Sequence, residues 1–272
     1  MFLLVLVILL FSFFLGTIVG SFLNATVLRV HGSESFIKGR SHCPHCNHQL
    51  SLIDLIPIFS FLYLRGKCRY CKEKISIQYI LMEIITGIIF LLYFNFLGFS
   101  FLLFPTTLHI INIIYGLILI SVFIYIALYD FLYYEISGKL VYIFSIFVFL
   151  YLLVLTFMGV YSLESILNHI LSAFAIAAFF LIIILITRGN GMGGGDMKLS
   201  FLMGLILGYP AILFVIFLSF IIGSIVGIML LVFKVKKLKS HVPFAPFLSL
   251  SMILYIIFSI YILQSLNYLF IF

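Results

Sequence analysis

Runs of about 20 apolar residues recur along most of this chain, and about 20 residues of α-helix cross the hydrocarbon core of a bilayer. In lipid no water satisfies the backbone amides, so a crossing segment must be a helix or part of a closed barrel. A barrel would show alternating strands of roughly ten residues, and the sequence has none. Composition agrees: 65% of residues are hydrophobic and 8% charged, whereas a soluble domain is about 45–50% apolar. An all-α polytopic membrane protein is expected.

Spans are expected near 2–27, 78–97, 108–129, 140–157, 166–186, 197–207, 211–233 and 247–270, about eight transmembrane helices. The sixth is short and the apolar stretch 99–107 blurs its neighbours, so seven is the alternative. Lys and Arg in short loops set orientation. With the N-terminus outside, segments 28–77, 130–139, 187–196 and 234–246 are cytoplasmic, and all 15 Lys and Arg fall on that side, Lys198 just inside the sixth span. The net charge of +7 follows from this bias and from anionic lipid headgroups. It does not imply nucleic acid, because no basic surface accompanies a nucleic-acid fold signature. Residues 1–27 lack the basic start of a cleaved signal peptide and exceed its apolar length, and Arg29 follows them, as suits an outside-to-inside anchor.

Three parts are expected: a first helix over 1–28, a small cytoplasmic domain over 29–77, and a membrane-embedded domain over 78–272. Only 29–77 is polar enough to fold outside the bilayer. It holds all four cysteines, as Cys43-Pro44-His45-Cys46 and Cys68-Arg69-Tyr70-Cys71. Two C-x-x-C turns read as two knuckles of a tetrathiolate zinc site, each giving two soft ligands. So small a domain needs such a staple to fold. Disulfides or free thiols are the alternative, and a reducing cytoplasm disfavours disulfides. His42, His45 and His48 read as loop residues or outer donors, since four thiolates complete the set.

Of eight acidic residues, Glu34, Asp54 and Glu73 fall in the polar domain, Glu135 in the loop after Asp130 and Glu164 in an external loop. Glu83, Asp130 and Asp196 lie in or beside the membrane, where a carboxylate is costly and marks a functional candidate. Asp130 ends the third span and Asp196 opens the sixth, at one membrane boundary, so adjacent helices can bring them together. Two close carboxylates share a proton, giving one base to activate water and one acid to polarise a carbonyl. A solvated helix-end carboxylate for Asp130, and an N-cap for Asp196, are the alternatives. Asp196 closes the loop Gly191-Met192-Gly193-Gly194-Gly195-Asp196, whose glycines permit positive φ and close approach of a substrate.

Gly193-Gly194-Gly195-Asp196 resembles the GxGD signature of intramembrane aspartic proteases, and its extension through Lys198-Leu199 resembles that of type IV prepilin peptidases. Gly20-Ser21-Phe22-Leu23-Asn24, both cysteine knuckles, Ile75-Ser76-Ile77-Gln78-Tyr79 through Glu83 and Gly87, and Pro243-Phe244-Ala245-Pro246-Phe247 are similar to further motifs of that family, in order. Two positions depart from it: Ser137 follows Ile136 where the family usually has proline, and Ala245 stands where glycine is usual. The resemblance implies removal of the basic leader from prepilins or pseudopilins at the cytoplasmic face of a bacterial membrane, with Asp130 and Asp196 catalytic. It further implies S-adenosylmethionine-dependent N-methylation of the new terminal residue. Gly193, Gly194 and Gly195 would then admit the extended peptide, and Lys198 would bias the aspartates' protonation or snorkel. Glu83 is the candidate contact for the substrate amine, or else a carboxylate paired with a nearby base. A peptidase without methyltransferase activity, a zinc-stabilised scaffold of a secretion or uptake system, and a transporter are the rivals. The boundary placement of both aspartates disfavours transport. Oligomeric state is not legible.

Overall fold

The computed structural model describes residues 2–32, 40–103, 107–189, 191–234 and 242–269, with backbone alone for 2, 97–103 and 260–269. Glu34, Lys38, Lys236, Lys237, Lys239 and the last residue of the final expected span lie outside the described residues. The described elements are helices: α1 (Phe2–His31), a 3-10 turn (Ile53–Leu55), α2 (Phe59–Tyr63), α3 (Ile77–Leu103), α4 (Thr107–Tyr133), α5 (Gly138–Phe157), α6 (Leu163–Ile186), α7 (Gly194–Leu207), α8 (Ala211–Val232) and α9 (Ala245–Leu269). Many are rich in β-branched Ile and Val, which helices in water disfavour. In a membrane the need to pair every amide overrides that preference.

Six helices among the described residues are long and apolar enough to cross a membrane: Leu3–His31, Ile77–Phe96, Thr107–Tyr133, Gly138–Phe157, Leu163–Ile186 and Ala211–Val232. The side-chain-described part of α9, Ala245–Ser259, is a shorter apolar helix. α7, where the short sixth span was expected, has 14 residues, about 21 Å of helix. Several ends differ from expectation. α4 continues through Tyr133, so Asp130 sits in its last turn instead of terminating it. α9 begins at Ala245, before the expected 247.

Packing divides the chain into two units, Met1–Tyr125 and Ile126–Phe272. In the first, α1 and α3 pack antiparallel at very short range. A Cβ on Gly16 would lie 2.7 Å from the Thr86 carbonyl oxygen, one on Gly20 2.7 Å from that of Met82, and one on Gly87 2.8 Å from the Phe13 ring. Gly16-x-x-x-Gly20 is thus the small-residue face that lets two backbones touch in lipid, where packing replaces the hydrophobic effect as the source of association.

In the second unit, α6 and α7 meet in the same way, with Gly204 set so that a Cβ would fall 2.6 Å from the Ala173 Cα. Ser162 caps α6 by accepting from the Ser165 amide at 3.2 Å. Near the other end of α7, Asn168 of α6 holds the chain's turn into α8: its Nδ2 donates to the Tyr209 carbonyl at 2.9 Å and its Oδ1 accepts from the Tyr209 amide at 3.1 Å. Beside it the His169 ring lies 3.0 Å from the Leu205 carbonyl oxygen. The short helix α7 is therefore gripped along its length by α6.

Candidate active site and metal centre

Asp130 and Asp196 belong to the second unit and both are buried. They are close enough for the charge of Asp130 to act on Asp196. Each meets the start of a helix. The Asp130 carboxylate accepts from the amide of Ala245, the first residue of α9. Asp196 stands third in α7 and its carboxylate accepts from the amide of Gly193, the N-cap. A helix start offers unpaired amides and the positive end of the dipole, so each carboxylate is matched to a site that favours negative charge. Sequence reasoning did not anticipate Ala245 and Gly193 as partners. Pro246 beside Ala245 was a usable signal for a helix start.

The Ala245 amide is aimed by packing. Phe244, just before it, has its ring 5.1 Å from that of Phe220, 6.4 Å from Phe180 and 6.2 Å from Phe247. This aromatic cluster seats the first turn of α9 against α6 and α8.

The glycines before Asp196 differ in what they do. Gly194 and Gly195 lie inside α7, and positive φ falls on Arg188 and Gly189 instead of on 191 or 193–195. The expected conformational freedom is thus used earlier in the loop. A Cβ on Gly195 would press on Ile136 at 3.0 Å, whereas one on Gly194 would meet nothing within 4 Å. Open space at the helix start leaves room for another chain to approach. Ile136 belongs to the link from α4 to α5, where Ser137 stands at the N-cap position of α5 with φ −65 and no side-chain capping bond. Proline is locked near that value, so the serine reproduces the proline conformation without the ring. Lys198 holds its ammonium 5.8 Å from the Tyr142 ring centroid on α5, a cation–π distance.

In the first unit the two knuckles share one hydrogen-bond scheme. The Cys43 amide donates to His48 O at 3.0 Å and Asn47 N to Cys43 O at 2.9 Å; the Cys68 amide donates to Glu73 O at 2.8 Å and Lys72 N to Cys68 O at 3.1 Å. Asn47 and Lys72, equivalent in the two turns, both take positive φ. Each turn thereby folds two thiols to one side. The four Sγ atoms lie within 4.8 Å of one another, a set able to hold a metal ion, and all four cysteines are free of disulfides. Burial opposes ionisation of Cys43, but the amides of Cys46 and His45 outweigh it and lower its pKa to about 6. The His48 ring lies tilted by 37° against Tyr70 of the other knuckle, with centroids 3.7 Å apart, and the metal-binding set contains no histidine. Asp54 ties the turn at Ile53–Leu55 to the second knuckle through Arg69 Nε at 2.6 Å.

Glu83 is buried in α3 of the same unit. Its partners are not basic: Oε2 accepts from the Ile58 amide at 2.7 Å, and Ser21 of α1 also bonds to it. Ile58 has φ 64 and ψ −53, and Phe59 N reaches back to Pro57 O at 2.6 Å. This is a γ-turn of the strained hand, at a β-branched residue, costing on the order of 1–3 kcal/mol. The hydrogen bond that the Ile58 amide donates to Glu83 offsets that cost. Nearby, Gln78 donates to Asn24 Oδ1 at 2.8 Å, while the buried Asn24 Nδ2 has no partner among the described residues.

Residues 14–97 match the Bacterial Peptidase A24 N-terminal domain and residues 117–228 the Type IV leader peptidase family. A prepilin leader peptidase/N-methyltransferase of Bacillus subtilis is 32% identical over 246 residues, covering 89% of this chain and 91% of the relative. Proteins of the same description from Stutzerimonas stutzeri and Neisseria gonorrhoeae are 27% and 30% identical, each covering 87% of this chain and 86% of the relative. No solved structure matches.

Proposed function

Because this chain belongs to the type IV leader peptidase family, we propose that it removes the leader from prepilins or pseudopilins and then N-methylates the new terminus. The observation that carries the peptidase half is that Asp130 and Asp196 are both buried in one unit, near enough for the charge of one to act on the other, and each beside a helix start. Two such carboxylates hold one proton between them. The ionised member takes a proton from water as that water adds to the scissile carbonyl. The protonated member hydrogen-bonds the carbonyl oxygen as it gains charge. Collapse of the tetrahedral intermediate returns a proton to the departing amine, and the pair is restored. The amides of Ala245 and Gly193 keep one negative charge on the pair without a cation. Of Gly193, Gly194 and Gly195, it is Gly194, where a Cβ would meet nothing within 4 Å, that gives the extended peptide room, and Lys198, over Tyr142, acts as a snorkelling anchor.

The sidedness of the membrane supports the same chemistry. With the N-terminus outside, the knuckles, Asp130 and Asp196 share the cytoplasmic face of a bacterial membrane, where a basic prepilin leader lies. We retain eight spans and the division at 28 and 77. The four thiolates suit zinc: at a Zn–S distance of ~2.3 Å a tetrahedron has edges of about 3.8 Å, and Cys43 and Cys71 Sγ are 3.8 Å apart. Such a closed site is structural. For methylation, S-adenosylmethionine supplies an electrophilic methyl group when bound. Glu83 would orient the new substrate amine and take up its proton.

The test is Asp130→Asn and Asp196→Asn, each assayed with a prepilin in proteoliposomes. Either change is expected to lower leader removal by at least about a hundredfold while insertion persists. Full activity in either variant would refute the shared-proton mechanism.

A further inference from the structure

The strand of chain between the knuckles carries an unexplained apolar surface. Leu52, Ile53, Ile56, Phe59, Leu62 and Tyr63 are exposed, Leu52 and Tyr63 by 81% and 79%. A stretch of about 12 residues is too short to span a bilayer, and a contiguous apolar patch of this kind is rare on a surface facing water.

Its anchors say where it lies. At one end Asp54 is bonded to Arg69, and at the other Gly66 O accepts from Ile75 N at 2.8 Å, both within the knuckles. Its middle is bonded to the spanning helices. Ile58 N donates to Glu83 of α3, and the Phe59 ring stacks on Phe14 of α1 at 6.3 Å and 18°. Phe14 precedes Arg29 by 15 residues, about 22 Å down the axis of α1. Phe59 therefore sits at the depth of the hydrocarbon, not of the knuckles.

Much of the segment's backbone is also paired, as insertion into lipid demands. Leu55 N pairs with Leu52 O, Pro57 has no N–H, Ile58 N is on Glu83, Phe59 N on Pro57 O, Ser60 N on Ile56 O and Leu62 N on Ile58 O. Where the chain returns, Arg65, Lys67, Arg69, Lys72 and Lys74 follow, a charge pattern matched to anionic headgroups.

We propose that residues 52–64 form a re-entrant segment that dips into the bilayer beside α1 and α3, its exposed apolar side chains covered by lipid acyl chains. Glu83, through the Ile58 amide, pins the tip. The metal-bearing knuckles are thereby held against the membrane surface by a second insertion besides the two helices.

The native chain has no tryptophan, so one introduced residue is the sole indole fluorophore. Leu62→Trp and Tyr63→Trp would be placed separately in the full-length protein, in phosphatidylethanolamine–phosphatidylglycerol vesicles. Leu150→Trp, on the exposed face of α5, serves as lipid reference and Gln49→Trp, on the first knuckle, as aqueous reference. Emission at 62 and 63 is expected to be blue-shifted, quenched by acyl-chain bromines as at 150, and shielded from acrylamide. Quenching by acrylamide as at 49 would overturn the proposal. So would shielding from both quenchers, which means protein cover, or acrylamide quenching relieved only by added prepilin, which means a substrate-docking face. Two independent positions keep the measurement decisive if one variant fails to insert.

Discussion

Every buried carboxylate described here is held by N–H groups that neighbouring chain presents to it: Asp54 by the Ser51 amide and Arg69, Glu83 by Ile58, Asp130 by Ala245 and Asp196 by Gly193. For Asp54, burial alone would raise the pKa, but the Ser51 hydroxyl and amide and the Arg69 guanidinium outweigh it and bring the pKa below the ordinary aspartate value. A carboxyl more acidic in the folded state stabilises above its unfolded pKa of ~3.9, and the contribution fades as pH falls through the lower folded value. Asp54→Asn should therefore weaken the knuckle region at neutral pH and flatten its loss of stability in acid, read by protease resistance along a pH series. The acidic residues were legible as candidates because charge is rare in so apolar a chain. Their partners were not, because an amide carries no side-chain signature and becomes a ligand only when another element delivers it.

At the scale of elements, close backbone contact decides which helices pair. Gly204 lets α7 touch α6 at Ala173. Gly204→Val should force the two apart, costing about 1–3 kcal/mol, and should lower leader cleavage because α7 carries Asp196; thermal unfolding in detergent and a cleavage assay read the two effects. The knuckles are an element of a different kind, small and stapled by sulfur. Cys43→Ser is expected to release the metal and leave the hairpin protease-sensitive, measured as zinc per protein. Unchanged metal content would refute the four-thiolate set. The C-x-x-C spacing was readable because each turn is local. Gly16-x-x-x-Gly20 was equally present in the sequence and marks the α1–α3 contact, yet only the structure identifies α3 as its partner.

For the whole molecule, the proposed chemistry divides between residues of the two units: the knuckles and Glu83 in the first, both aspartates in the second. The order of reaction follows from the chemistry, since the amine to be methylated exists only after cleavage. Glu83→Gln, which keeps an oxygen for the Ile58 amide, should retain leader removal and lose at least about tenfold in methylation, measured by transfer of labelled methyl from S-adenosylmethionine. Asp130→Asn should lose both activities on prepilin but methylate a pre-cleaved substrate. Failure of that rescue would mean that the two sites are not separable.

The sequence by itself determined the class of fold, because an apolar chain in lipid has helices as its way to pair its amides, and it determined the chemistry-bearing residues, because Cys and Asp stand out against such a background. Within the expected cytoplasmic domain over 29–77, the apolar run 52–64 was visible as composition but without a place. Tertiary structure alone decided that this run lies against α1 and α3, that Glu83 meets an amide instead of a base, and that Asp130 and Asp196 each meet a helix start. These are contacts between residues far apart in the chain. Their energy depends on distance and direction in space, which local periodicity and spacing do not encode.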